Sequence, residues 1–310
     1  MKYLITGGAG FIGSHLIELL IKKKFKVACV DDLSSGNLSN LSSVVKKIEF
    51  YKERIEIFDF NKLTKINGII HLAAQTSVPR SISHFHDSSS NNLLGAIKVI
   101  DFCKSNNIPL VYASSSAIYG NLGKGNDEIN KVDLLSPYAV DKYSMELYAQ
   151  TAHKNSQLSS LGLRFFNVYG PRQDPKNPYS GVISIFADRL LKNQNITING
   201  GNQTRDFIYV KDVTNIIYDA ISLVSKKRIC ETSNVLTGKS VKIDKLAKAM
   251  INIINAKVDV IYKKLPAGDP KQSNGSYKKM VKLFKVNPEN FIELNKGLIK
   301  TIEYKRTHDK

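Results

Sequence analysis

Long apolar runs are missing from this chain of 310 residues. Its hydrophobic stretches fall short of the roughly 20 consecutive apolar residues a bilayer-crossing helix needs, so no membrane span is expected. Cysteine is scarce and odd in number. Cys29, Cys103 and Cys230 are scattered through apolar stretches, which suits small buried residues rather than a disulfide framework. The opening stretch MKYLITGGAG lacks the long apolar core of a secretory signal, and a cytoplasmic protein is expected. Repeats and low-complexity segments are absent. His71 and the His84/His86 pair lack companion cysteines or aspartates at ligand spacing, so no metal site is read.

Acidic residues are also in short supply. Asp and Glu number 27 against 45 Lys and Arg, for a net charge of +18. The imbalance is steepest in residues 233–310, with 17 basic and 7 acidic side chains. These lysines are spread out, with no basic run interleaved with aromatics. That pattern favours a solvated lysine-rich surface over a nucleic-acid site, and no nucleic-acid partner is expected. A positive field equally suits a doubly charged phosphate substrate.

What is present is alternation. KYLIT, KVACVDD, GIIHLAA and IPLVYASSS are strand-like, and FIGSHLIELLIKK and NLLGAIKVIDFCKSNN have helical spacing between them. LSSLGLRFFNVYG follows a further helix. Such alternation predicts an α/β, doubly wound parallel sheet, and short runs such as GIIHLA suit strands covered on both faces. After Gly170 the chain changes character. PRQDPKNPYSG reads as a loop, VISIFADRLLKN as a helix, then come ITING and RDFIYVKDV. The remainder reads as a smaller α/β lobe closing over the C-terminal edge of the sheet, where ligands bind in open α/β folds.

TGGAGFIG joins the first strand to the first helix, with Gly8, Gly10 and Gly13 in G-x-G-x-x-G spacing and Gly7 preceding them. Glycines there let the backbone approach a pyrophosphate, and the helix start offers free N–H groups and partial positive charge. Asp31 ends the second strand, eighteen residues past Gly13. Its carboxylate suits both ribose hydroxyls of adenosine and repels a 2′-phosphate, so NAD is favoured over NADP. Ser115 lies at the end of a later strand. Tyr138 and Lys142, in SPYAVDKYSMELY, share one helix face. A phenol titrates near pH 10, and a lysine ammonium with the positive nicotinamide ring would favour the phenolate needed for acid–base work. The serine hydroxyl would hold the reacting oxygen.

With TGGAGFIG, HLAAQ, SSSAIYG, YAVDK, LRFFNVYGPRQDP and RDFIYVKDV in view, the chain resembles the extended short-chain dehydrogenase/reductase family over nearly its whole length. More narrowly, it is similar to the UDP-sugar 4-epimerases. The resemblance implies a Rossmann domain of residues 1–168 plus about 206–232, and a substrate lobe of about 169–205 plus 233–310. It implies NAD as cofactor, a UDP-sugar substrate and a homodimer.

Residue by residue, the resemblance places Gly7, Gly10, Phe11, Ile12 and Gly13 at the pyrophosphate and Asp31 at the adenosine ribose. Glu56 and Ile57 stand where the family has Asp-Ile facing adenine. Ala73 and Ala74 line the cofactor, Asn92 supports that strand end, Lys142 also holds the nicotinamide ribose, and Phe165 and Val168 flank the nicotinamide. Asn167 and Arg205 face the UDP phosphates, Asp269 the uridine ribose, and Thr197 and Asn199 lie in the uracil stretch. Ser115, Tyr138 and Lys142 are the implied catalytic set, with Ser115 and Tyr138 also touching the sugar.

Two positions depart from the family pattern. Pro266 stands where an arginine is usual, so a phosphate contact is missing or comes from Lys263 or Lys264. Ser273 occupies a position where epimerases restricted to unmodified hexoses carry tyrosine, which leaves room for an N-acetyl group at C2. The expected activity is C4 inversion of UDP-glucose/UDP-galactose and of UDP-GlcNAc/UDP-GalNAc through a 4-keto sugar. Alternatives are UDP-glucuronate epimerisation or decarboxylation, and a 4,6-dehydratase, for which Ser116-Ala117 replaces the usual Asp-Glu. A non-catalytic NAD-sensing or RNA-binding protein is the alternative from another class.

Overall fold

The computed structural model describes residues 1–129, 131–175, 181–264 and 270–308. In chain order the elements begin β1 (Lys2–Thr6), α1 (Phe11–Lys22), β2 (Lys26–Val30), β3 (Glu49–Tyr51), β4 (Gly68–His71), α2 (Val78–Ser83) and α3 (Phe85–Ser89). Next come α4 (Gly95–Asn106), β5 (Leu110–Ser115), α5 (Pro137–Ser156), β6 (Ser160–Phe165), β7 (Asn167–Tyr169), α6 (Val182–Leu191), β8 (Ile196–Asn199) and β9 (Thr204–Tyr209). The chain ends with α7 (Val210–Val224), β10 (Cys230–Val235), β11 (Ser240–Lys242), α8 (Ile243–Ile254), β12 (Val260–Lys263), α9 (Lys278–Phe284) and α10 (Leu294–His308).

One compact unit comprises residues 1–118, 134–164 and 213–233. It is built on a seven-stranded sheet ordered β10-β6-β5-β4-β1-β2-β3. β1 pairs in parallel with both β2 and β4, so the order reverses between β1 and β4, the switch point at which doubly wound sheets bind ligands. The strands are buried on both faces, which explains their continuous rather than alternating apolar character. On one face, Leu4, Ala28, Ile69, Leu110 and Tyr112 join Val99, Ile100 and Cys103 of α4 and Met145, Ala149 and Ala152 of α5 in one apolar cluster. On the other, Tyr3 meets Phe25 edge-on, and Phe25 meets Tyr218 of α7.

α5 has a sharp start. Ser136 is extended and accepts the Ala139 N–H, and Pro137 takes the first turn. It stops at Gln157, in the left-handed region. The helix expected from Asn92 differs. Ser90–Leu94 form a π turn, and the α-helix begins only at Gly95. A Cβ on Gly95 would come within 2.8 Å of Ile55, so the glycine lets this segment press against the 55–56 stretch.

The second unit comprises residues 119–133, 165–212 and 234–310. It holds a three-stranded sheet, β11-β9-β7, and the parallel pair β8–β12. Its core joins Phe186 and Leu190 of α6, Leu246 and Met250 of α8, and Leu298 and Ile302 of α10 to Tyr169, Ile198 and Phe207 from the strands. Residues 119–133, 165–168 and 206–212, which the sequence reading groups with the first domain, cluster here. The fold reading α/β with a doubly wound parallel sheet matches the structure.

Candidate active site

The loop after β1 shows why glycine is required. Gly7 has φ +69°, and a Cβ there would lie 2.7 Å from the Ala73 backbone nitrogen. A Cβ on Gly13 would lie 2.2 Å from the Gly7 carbonyl oxygen. Three stretches of backbone thus close on each other at the start of α1, whose N-cap Gly10 makes no side-chain cap. Phe11 and Ile12 open the helix.

Asp31 follows β2 and is buried. It accepts the Ala9 N–H at 2.9 Å and the Leu33 N–H at 2.8 Å, so it braces the glycine loop directly. Burial raises its carboxyl above the usual range, while those backbone donors pull the other way. Glu56 uses Oε1 to accept from Arg54 at 2.5 Å. Its Oε2 is buried and has no hydrogen-bond partner among the described residues. Ile57 is two-thirds exposed, at 67%.

Past β4, Asn92 clamps the turn carrying Ala73 and Ala74. Its Oδ1 accepts the Gln75 N–H at 2.7 Å, and its Nδ2 donates to the Gln75 carbonyl at 3.0 Å. Sequence reasoning did not single out Thr6. Its hydroxyl accepts the Leu72 and Ala73 N–H groups, each at 3.2 Å, and meets His71 Nδ1 at 2.7 Å. His71 is buried, and burial together with Lys142 pushes its imidazole down to about 3. It is therefore a neutral structural group at physiological pH. Among the described residues no cluster of three or more His, Cys, Asp or Glu is placed to hold a metal.

Ser115, Tyr138 and Lys142 do come together. Tyr138 neighbours Ser115, whose hydroxyl eases ionisation of the phenol. Ser115 Oγ accepts the Ala117 N–H at 3.1 Å, which frees its own hydrogen for the phenol oxygen. Lys142 donates to the Ala113 carbonyl at 2.8 Å, with its Nζ 5.7 Å from the Tyr138 ring centroid. The electrostatics differ from the sequence expectation. Burial raises the Tyr138 phenol, with Asp141 adding to the rise and Ser115 opposing it. Burial also drives the Lys142 ammonium down to about 8, against the pull of Asp141. In the protein alone, burial and Asp141 outweigh the help of Ser115 to the phenolate.

In the second unit, Asn167, Arg205 and Ser273 are neighbours. Asn167 Nδ2 donates to Ser273 Oγ at 3.3 Å and to the Asp206 carbonyl at 3.0 Å. Arg205 Nη1 donates to the carbonyls of Thr204 and Pro270, both at 2.9 Å. The Ser273 N–H bonds the Thr204 carbonyl at 3.0 Å. Thr197 and Asn199 lie apart from these on β8, opposite Ile261 and Lys263 of β12. Lys263 and Lys264 are exposed. Phe165 ends β6, and Val168 sits mid-β7. Asp269 and Pro266 lie outside the described residues.

The profile of the NAD dependent epimerase/dehydratase family matches residues 3–235. A putative UDP-glucose 4-epimerase of Methanocaldococcus jannaschii is 34% identical over 99% of both chains. The crystal structure of the Thermotoga maritima UDP-glucose 4-epimerase with UDP-glucose superposes with a TM-score of 0.92, at 33% identity and 100% coverage of each chain. UDP-N-acetylglucosamine 4-epimerase from Methanobrevibacter ruminantium M1, in complex with UDP-N-acetylmuramic acid, also gives 0.92, at 34% identity, covering 99% of this chain and 98% of that one.

Proposed function

The chain belongs to the NAD dependent epimerase/dehydratase family, and from that membership we propose that it is a UDP-sugar 4-epimerase. The observation that carries this reading is one unit holding both the close-packed glycine turn at Gly7–Gly13 and the neighbouring Ser115 and Tyr138 with Lys142. The residues present fit NAD. The turn admits a pyrophosphate beside Gly7, Gly10, Phe11, Ile12 and Gly13. Asp31 stands at the end of β2 for the adenosine ribose, and the unpartnered Glu56 Oε2 is an acceptor for the adenine amino group, with Ile57 beside it. Ala73, Ala74, Asn92, Lys142, Phe165 and Val168 complete the cofactor set.

When bound, NAD would supply a reversible hydride acceptor for the sugar C4, so that the sugar passes through its 4-keto form and can regain the hydride on the other face. Tyr138 takes the C4 hydroxyl proton and gives it back. Ser115 holds the reacting oxygen. Lys142, poised near pH 8, favours the ionised phenol and orients the adjoining ribose. Asn167 and Arg205 grip the diphosphate, Thr197 and Asn199 the uracil, and Asp269 the uridine ribose. The partly exposed Ser273 hydroxyl, small and tied to Asn167, supports acceptance of a C2 N-acetyl group. Val140, Leu147 and Tyr148 stand exposed at helical spacing on α5, which supports a homodimer formed through that helix.

Incubation of the purified protein with UDP-Glc, UDP-Gal, UDP-GlcNAc, UDP-GalNAc or UDP-glucuronate, each followed by proton NMR, tests the reading. Interconversion of C4 epimers is expected. Release of CO2, formation of a dehydrated sugar, or no change with any donor refutes it. Tyr138→Phe should reduce kcat by about 10²–10⁴-fold with the fold intact.

A further inference from the structure

One buried charge cluster lies outside every group assigned above. Glu146 has no exposed surface and Arg164 is 3% exposed. Arg164 grips the carboxylate as a fork, Nε to Oε1 at 2.9 Å and Nη2 to Oε2 at 2.6 Å. Ser114 Oγ donates to Oε1 at 2.5 Å. A buried ion pair is weak evidence for net stability, because apolar side chains of similar volume often serve as well. What a fork adds is direction.

The direction here bears on the acid–base couple. Tyr138, Lys142 and Glu146 follow one another at four-residue steps along one face of α5. Their contacts fall on three successive residues of β5. Lys142 donates to the Ala113 carbonyl, Glu146 accepts the Ser114 hydroxyl, and Tyr138 neighbours Ser115. Arg164, from neighbouring β6, closes the arrangement from the side. We propose that the Glu146–Arg164 fork is a positioning pair for the reaction. It sets how far α5 lies along β5, and so how closely Tyr138 approaches Ser115.

The action is geometric. The neighbouring charge acting on Lys142 is that of Asp141, not Glu146. One residue of helix rise is about 1.5 Å, whereas a hydrogen bond tolerates only about 0.5 Å between good and poor. A slip of a third of a residue therefore suffices to part Tyr138 from Ser115.

The inference rests on the acid–base role given to Tyr138, and its test separates the two. Glu146→Leu combined with Arg164→Met removes the pair without stranding a buried charge. Arg164→Lys keeps the charge and loses the fork. Each is made in the full-length protein with its cofactor. For the double variant, an unfolding midpoint near wild type is expected, with the UDP-glucose KM within twofold and kcat down tenfold or more. The midpoint of its kcat–pH profile should move upward, and Arg164→Lys should fall between. Independently of turnover, the ultraviolet titration of Tyr138, read as the difference between each protein and its Tyr138→Phe counterpart, should also move upward. A folded double variant with unchanged kcat and phenol titration overturns the proposal. So does a kcat loss with an unmoved titration. If the wild type turns over no UDP-sugar, the epimerase reading fails, and the phenol titration still decides the role of the pair.

Discussion

Replacing Lys142 by methionine should make the cofactor-free protein harder to unfold at neutral pH while removing its activity. Lys142 is 2% exposed, and burial lowers its ammonium from 10.5 to about 8. At pH 7 it is protonated in both folded and unfolded chains, so folding carries the whole penalty of burying the charge. At about 1.36 kcal/mol for each tenfold change, that penalty is about 3 kcal/mol. Methionine removes it, but also removes the bond to the Ala113 carbonyl, which contributes about 1 kcal/mol. The net gain is about 2 kcal/mol. Its pH dependence follows from proton binding. Between about 8 and 10.5 the unfolded wild-type chain binds more protons than the folded one, so wild-type stability rises with pH across that window. The variant's advantage is therefore full below pH 8 and gone by about 10.5. Paired urea titrations at pH 7, 8.5 and 10 measure the difference and cancel the groups common to both chains. A variant no more stable than wild type at pH 7, or a gap unchanged from pH 7 to 10, would refute the reasoning.

Two further outcomes can be checked directly. Gly13→Ala places a methyl 2.2 Å from the Gly7 carbonyl oxygen, so the loop must open. Loss of co-purifying NAD, read from absorbance of the denatured supernatant, is expected, and full retention would count against the glycine turn as the pyrophosphate site. Ser273→Tyr should depress turnover of the N-acetylated sugars by tenfold or more and leave UDP-glucose and UDP-galactose within about threefold. Equal loss on every donor would remove Ser273 as the gate.

Much of the first unit was legible because its signals are short in sequence. The glycine spacing, Asp31 eighteen residues on, and the Tyr138/Lys142 step are local patterns whose geometry follows from strand, turn and helix alone. The Glu146–Arg164 fork was not legible. Its partners sit on different elements, and nothing in the sequence marks which of the many polar residues of α5 turn inward, as Asp141, Lys142 and Glu146 all do. LSSLGLRFFNVYG, one apolar stretch in sequence, breaks at Phe166. The Phe166 N–H turns to Val235, and β6 and β7 join different sheets. The rise of the phenol in the protein alone was not legible for a related reason. Charge proximity is visible in a helical step, whereas the depth of burial around Tyr138 is a property of the packed unit.

The strip holding Ser273 is fastened through main-chain atoms. Thr204 donates its N–H to the Lys271 carbonyl, accepts the Ser273 N–H on its own carbonyl, and bridges Gln272. Such a fastening is indifferent to which side chains the strip displays. Substitutions at 271–273 could thus retune which donor sugars are accepted while the hydride-transfer chemistry goes on as before, a separation that lets selectivity drift under selection without passing through an inert protein.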